Sequence, residues 1–234
     1  VWDAERYADL LAGGNLFDAK DTEISHLQGI YLTSTPLPTD KEGAKEFIHS
    51  EVMQRVELKS RIGEEDALPY YVDRITFADE SGLYFLAQGE TDKLEAALNI
   101  LSTQGIGTDR SVGFGYFHYE CGELSLQAPS DATHCVALSL LIPESKQQLQ
   151  QLLASDRVAY DFVRRGGWIT TLPYTTLRKN AIYAFLPGSV FCKVSEANCL
   201  GKVVDLRPSI GDLTPSHPIW RNGKAIVLPI KLKA

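Results

Sequence analysis

The sequence predicts an α+β protein of two units built on antiparallel sheets, and three stretches carry that prediction. Residues 55–61 (RVELKSR) alternate strictly, with Arg55, Glu57, Lys59 and Arg61 on one face and Val56, Leu58 and Ser60 on the other, the period of a half-exposed strand. Leu94, Ala97, Leu98 and Leu101 recur at the spacing of an amphipathic helix, and a glycine-rich turn and an aromatic strand pattern follow them. Residues 127–134 (QAPSDATH) are polar and broken by Pro129, and after them the order strand–helix–strand–strand begins afresh. The division therefore falls into residues 1–128 and 129–234.

In chain order, residues 3–12 (DAERYADLLA) read as a short helix. Asp3 caps it, Ala4, Tyr7 and Leu11 share a face, and Gly13-Gly14 ends it. Residues 24–35 alternate loosely up to Pro36 and Pro38, as a strand running into a loop does. The polar KEGAKEFIHSE segment stays ambiguous. Beyond residue 61 a Gly-Glu-Glu-Asp turn leads to a return strand, Tyr70–Phe77. Residues 83–88 (LYFLAQ) are apolar enough for a buried central strand, and Asp92 with Glu95 has the spacing of a capping pair for the helix behind them. Tyr116, Phe117 and Tyr119 then form the last strand of the first unit, either as core residues or as rings on which bases stack.

The second unit opens with a strand at CVALSLLIP. Ser145 and Gln148 have capping-box spacing, and Leu149, Leu152, Leu153, Tyr160 and Val163 supply the buried face of a helix. Arg164 and Arg165 suit the C-terminus of that helix and Gly166 its C′ position, so RRGG reads as a helix end and not as an RNA-binding RGG element. Further strands are expected over 168–172, 178–186, 202–206 and 224–232.

The chemistry concentrates in residues 105–117, GIGTDRSVGFGYF. Gly105, Gly107, Gly113 and Gly115 permit positive φ and close approach of a ligand to the backbone, and Arg110 with the hydroxyls of Thr108 and Ser111 suits a phosphate. The spacing is neither G-x-G-x-x-G, which needs glycine where Arg110 stands, nor a P-loop, which needs Gly-Lys-Ser/Thr. Both of those motifs also join a strand to a following helix, whereas this loop joins a helix to a strand. The plain alternative is a helix-to-strand turn with no ligand.

A GxGxxRSxGFG-like loop after a short helix resembles the RAMP superfamily of CRISPR-associated proteins, which carry such a loop near the end of a ferredoxin-like domain. RRGGW (164–168), FLPGSVF (185–191), GKVVDLRP (201–208) and HPIWRNGKAIVLPI (217–230) resemble one branch of it, the fourth subunit of the type III-A Csm effector complex. The likeness runs over nearly the whole chain and rests on the order of the motifs. It implies two tandem ferredoxin-like (RRM-like) units with antiparallel sheets, the first incomplete at its N-terminus here because relatives have a strand and a helix upstream. It also implies a non-catalytic subunit of antiviral defence that caps the 5′ handle of the CRISPR RNA (crRNA), placed between the large polymerase-domain subunit and the first backbone RAMP subunit. The site residues it implies are Gly105, Gly107, Arg110, Ser111, Gly113, Phe114 and Gly115 in the loop, and Arg55, Lys59, Arg61 and Arg74 on a basic hairpin. Arg178 and Lys179 beside the second unit's central strand are added to them. Glu64, Glu65 and Asp66 at the hairpin tip would repel phosphate and so face protein or solvent.

Composition tests these expectations. Acidic residues outnumber basic ones, 30 to 23, for a formal charge of −7, which taken alone argues against nucleic acid; a local basic face survives such a balance. That balance supports a rival reading, a protein scaffold that touches no RNA. No apolar run approaches the ~20 residues of a membrane span. Cys121, Cys135, Cys192 and Cys199 form no C-x-x-C pair, and Cys192 and Cys199 are too far apart for a zinc knuckle and have no histidine close by, so free thiols in a reducing cytoplasm and no metal are expected. His26, His49, His118, His134 and His217 are scattered without metal spacing, and no nucleophile elbow is present, so no cofactor and no catalytic centre are expected. The enzymatic alternative is a RAMP-type endoribonuclease that processes precursor crRNA, with His26 or His49 as general acid–base.

Overall fold

A computed structural model describes residues 24–26, 31–33, 48–57, 68–77, 81–107, 109–126, 128–211 and 214–232. The helix expected over 3–12 lies outside them. The protein is mixed α and β with antiparallel sheets and few helices, and it divides into two compact units, one running to Phe85 and the other starting at Leu86 for its main part.

Among its described residues the first unit holds two antiparallel strand pairs. Strands β1 (Ile24–His26) and β2 (Tyr31–Thr33) pair antiparallel, Ile24 opposite Thr33, where one continuous strand was expected. Strands β3 (Ile48–Glu57) and β4 (Leu68–Phe77) form a longer ladder from Ile48↔Phe77 to Glu57↔Leu68. β3 starts well before the strict alternation at Arg55, because β4 supplies a pairing partner as far back as Ile48, opposite Phe77.

In the second unit, helix α1 (Asp92–Gln104) forms as its period requires, with Leu94, Leu98 and Leu101 half-buried and Ala97 exposed. Its cap differs from expectation. Thr91 is the N-cap, its carbonyl accepting from Glu95 N–H at 2.9 Å, so Asp92 and Glu95 lie in the first turn, where their charge meets the positive end of the helix dipole. Residues 83–88 are a second correction: they form no strand, and Leu83, Tyr84 and Phe85 are exposed. Tyr116–Tyr119 likewise lie outside any ladder among the described residues. Apolar composition fits both stretches for a sheet, but a strand exists only where a neighbour completes its hydrogen bonds.

Beyond residue 128 the core is a four-stranded antiparallel sheet in the order β8 (Val190–Cys192), β5 (His134–Ala137), β10 (Trp220–Ile230), β9 (Cys199–Asp205). β5 reads as a continuous buried run, the mark of a central strand. Cys135, Ala137, Leu141, Leu152, Phe191, Leu200, Ala225 and Val227 make the packed centre. Helix α2 (Lys146–Leu152) starts where expected. Ser145 Oγ accepts from Gln148 N–H at 3.1 Å, and Gln148 Oε1 accepts from Glu144 N–H at 2.8 Å. It ends far earlier than expected. Ser155 Oγ takes the Arg157 N–H at 3.1 Å, a local bond that competes with helix propagation. Arg164 and Arg165 consequently lie not at a helix C-terminus but on strand β6 (Phe162–Arg165), paired with β7 (Ile182–Phe185).

Two residues knit these parts together. Leu141 exchanges backbone hydrogen bonds with Phe185 (3.1 and 2.9 Å), joining β7 to the core. Ile142 donates to Gly223 O at 2.9 Å and accepts from Lys202 N–H at 3.0 Å. That approach explains two glycines. A Cβ on Gly201, whose φ is +95°, would sit 2.2 Å from Gly223 O, and a Cβ on Gly223 would fall 2.4 Å from the Ile142 side chain. The Cys135 thiol, buried beside Cys192, is pushed up to about 11, first by burial and then by that neighbour.

Gly223→Ala should lower stability by about 1–3 kcal/mol through overpacking. It should cost clearly less in an Ile142→Gly background, which removes the Cβ 2.5 Å away together with the rest of that side chain, a coupling read by a denaturant double-mutant cycle. Strict additivity would mean that Ile142 is not what excludes the side chain. The raised Cys135 pKa means that the folded state holds this proton more tightly than the unfolded chain does. Its contribution is therefore complete below the ordinary value of 9.0 and lost as pH climbs towards about 11. Denaturation midpoints should fall across that window, less so in Cys135→Ala.

Candidate functional site

The glycine-rich loop is closed at its base and open in its middle. Gly105 ends α1, its N–H bonded to Leu101 O at 2.7 Å, and Ile106 N–H bonds to Gly115 O at 2.9 Å. The two ends touch so closely that a Cβ on Gly105 would meet Phe114 O at 2.7 Å, and one on Gly115 would meet Ile106 O at 1.9 Å. These two glycines are there for backbone packing. Gly107 and Gly113, at φ +86° and +91°, have no atom within 4 Å of an added Cβ, so they need only left-handed backbone and leave open space beside it.

Between them Arg110–Val112 forms a 3-10 turn that contains Ser111. Asp109 precedes it in the left-handed region at φ 57°, ψ 25°, and its carbonyl accepts from Val112 N–H (3.1 Å) and Phe114 N–H (3.4 Å). Gly113 N–H closes the turn on Arg110 O at 3.3 Å. The amides of 106, 112, 113 and 114 are thus spent inside the loop, and they are not free to hold a ligand as the sequence suggested. The Arg110 side chain is exposed and makes no ion pair among the described residues. Asp109 is the position that sequence reading passed over. Its signal was available, since aspartate is one of the few residues besides glycine that settles in left-handed backbone.

The expected hairpin cations divide. Arg55 lies opposite Tyr70 and Arg74 opposite Glu51, which puts both arginines on one face, four residues apart along the ladder. Arg74 is partly neutralised, with Nη1 3.6 Å from Glu51 Oε1 and 3.5 Å from Met53 Sδ. Lys59, Arg61, Thr108 and the acidic tip (Glu64, Glu65, Asp66) lie outside the described residues. In the second unit Arg178 sits with its guanidinium 4.6 Å from the centre of the Trp168 ring, and the Lys179 amide bonds to Gly167 O at 2.8 Å.

His49 is exposed on β3 opposite Thr76, and His26 lies on β1 opposite Tyr31. His134 is buried with Nδ1 2.9 Å from Thr133 Oγ1, and burial, then Arg157, lowers its pKa. Among the described residues no group of His, Cys, Asp and Glu could hold a metal ion, and no helix is long and apolar enough to cross a membrane.

Residues 130–230 match the family described as the CRISPR Csm4 C-terminal domain. The chain is 30% identical over 173 residues to the CRISPR system Cms protein Csm4 of Mycobacterium tuberculosis (strain CDC 1551 / Oshkosh), an alignment covering 72% of this chain and 53% of that protein. It is 28% identical over 170 residues to the Csm4 of Thermococcus onnurineus (strain NA1), covering 70% and 51%, and 27% identical over 150 residues to that of Streptococcus thermophilus, covering 62% and 48%. The chain thus spans about half the length of the curated relatives it matches.

The glycines separate by experiment. Gly105→Ala and Gly115→Ala should open the base of the loop and speed amide exchange at Ile106. Gly113→Ala should leave that amide protected while costing about 1–2 kcal/mol of left-handed strain. Equal exchange at Ile106 in all three variants would show that the loop is not closed by this contact.

Proposed function

We propose that this chain, similar to Csm4 proteins over much of its length, is a non-catalytic RNA-binding subunit of a type III-A CRISPR RNA-guided interference complex. It caps and anchors the 5′ handle of the crRNA in the cytoplasm, bridges to the large polymerase-domain subunit, and meets a backbone RAMP subunit on another surface. Residues 1–128 and 129–234 are tandem ferredoxin-like domains, and the acidic excess of the chain lies on surfaces turned to protein.

The observation that carries this reading is Arg110: an exposed guanidinium without an ion pair among the described residues, in a loop tied at its base, flanked by glycines that leave the backbone approachable. A guanidinium offers bidentate contact to a phosphate, and that contact gains from a site that is already ordered. Arg110 therefore does most of the holding, the Gly107 amide adds a donor, and Ser111, Phe114 and the remaining glycines shape the turn. Arg55 and Arg74, with Lys59 and Arg61, grip the following nucleotides, and Arg178 with Lys179 extends the contact.

Handle affinity, followed by fluorescence anisotropy at fixed salt with a crRNA-like oligonucleotide, tests the assignment. Arg110→Ala should weaken binding by roughly tenfold or more, the loss of one charge-assisted contact of about 1.5–3 kcal/mol. Gly107→Val should do comparable harm by filling the approach to the backbone. Wild-type affinity in both folded variants overturns the loop site. The same RNA extended into a precursor should stay intact; cleavage abolished by His26→Ala or His49→Ala would replace the binding subunit by an endoribonuclease.

A further inference from the structure

The stretch from Phe162 to Ser195 contains Arg164, Arg165, Arg178, Lys179 and Lys193 and no Asp or Glu, in a chain whose acids outnumber its bases. The fold gathers four of these cations on one hairpin. β6 pairs with β7 through Phe162↔Phe185, Arg164↔Tyr183 and Arg165↔Ile182, and beyond the Gly166-Gly167 break the pairing continues at Trp168↔Arg178, with Ile169 N–H on Leu177 O at 2.9 Å. Ile169 anchors this extension, buried at 3% exposure. The rings beside the cations stay in solvent: Phe162 is 55%, Trp168 53% and Tyr183 61% exposed. Arg164, Arg165, Arg178 and Lys179 form no ion pair among the described residues.

Two arginine–aromatic pairs therefore recur along the hairpin, Arg164 across from Tyr183 and Arg178 on the ring of Trp168, about 13 Å apart at strand rise. Tyr183 is held edge-on by Phe162, with ring centres 5.8 Å apart at 76°. Exposed flat rings beside guanidinium groups that make no ion pair among the described residues match a chain that alternates flat bases with phosphates. An acidic peptide would use the cations but would leave the rings without a role.

We propose that the β6–β7 hairpin, whose Arg178 and Lys179 the handle reading also recruits, is a single-stranded RNA site in its own right, in which Trp168 and Tyr183 stack on bases while Arg164 and Arg178 take the phosphates and Arg165 and Lys179 add positive charge beside them. It rests on the RNA-binding reading above but does not require the handle, because stacking and phosphate contact tolerate any sequence. It also reverses the sequence-based reading of RRGG as a helix end, since the structure places those arginines on a strand.

The test uses the full chain and a short fluorescein-labelled RNA of scrambled sequence without a handle. Trp168→Ala should weaken binding by about fivefold or more, the loss of one stacked base, and Trp168→Phe should restore much of it. Arg164→Ala and Arg178→Ala should each flatten the dependence of log affinity on log salt by about 0.7. Wild-type affinity and salt slope in all of these folded variants overturn the site. If they bind RNA normally but no longer co-elute with the large effector subunit, the hairpin is a protein interface and the proposal fails. Failure of the handle reading looks different: a handle-bearing RNA bound no better than the scrambled one, with the hairpin variants still impaired.

Discussion

The second unit depends on one dipeptide. Leu141 and Ile142 leave the end of the central strand and satisfy neighbours on opposite sides, Leu141 the β7 backbone at Phe185 and Ile142 the β9–β10 ladder at Lys202 and Gly223. Ile142 could not do so against ordinary side chains. Gly201 and Gly223 remove the Cβ atoms that would hold the backbones apart, and Leu141 can then be fully enclosed beside Leu152 and Phe191. The hairpin that carries the exposed arginines is positioned by the same joint, so the core geometry and the arrangement of the surface cations share a cause.

That joint also explains what the sequence motifs mark. FLPGSVF contains Gly188, whose N–H reaches Ala137 O at 2.7 Å, and Ser189, whose buried hydroxyl donates to Leu186 O at 2.7 Å. GKVVDLRP contributes Gly201 and Asp205. Burial alone would raise the Asp205 carboxyl, but bonds from the Ile219 and Arg207 amides and the Arg207 guanidinium outweigh it and hold it below its usual range. HPIWRNGKAIVLPI contributes Gly223 and the strand that the sheet is built around. These motifs make the resemblance legible because they are corners at which few residues fit; they describe the scaffold.

Elements with a strong period were readable, as α1 and the β3–β4 return strand show. The misreadings share a reason. Leu149, Leu152, Leu153, Tyr160 and Val163 fall on one helical face, but the Ser155–Arg157 turn stops the helix, a competition that periodicity does not record. Residues 83–88 have the composition of a central strand, yet pairing is a property of two segments and composition of only one. At the candidate site, residue type was enough to single out Arg110. Which glycines serve packing and which leave the backbone open depends on contacts between positions 105–106 and 114–115, and no single position reveals them.

The closure of that loop has a thermodynamic consequence. The hydrogen bonds at Ile106–Gly115 and over the Arg110–Val112 turn have already fixed the backbone of those residues in the unbound protein. A ligand arriving there meets a rigid edge, so little of its binding free energy is spent on ordering the chain. Changes to the exposed residues should then register mainly in how long the ligand stays, since the shape it encounters is present before it arrives.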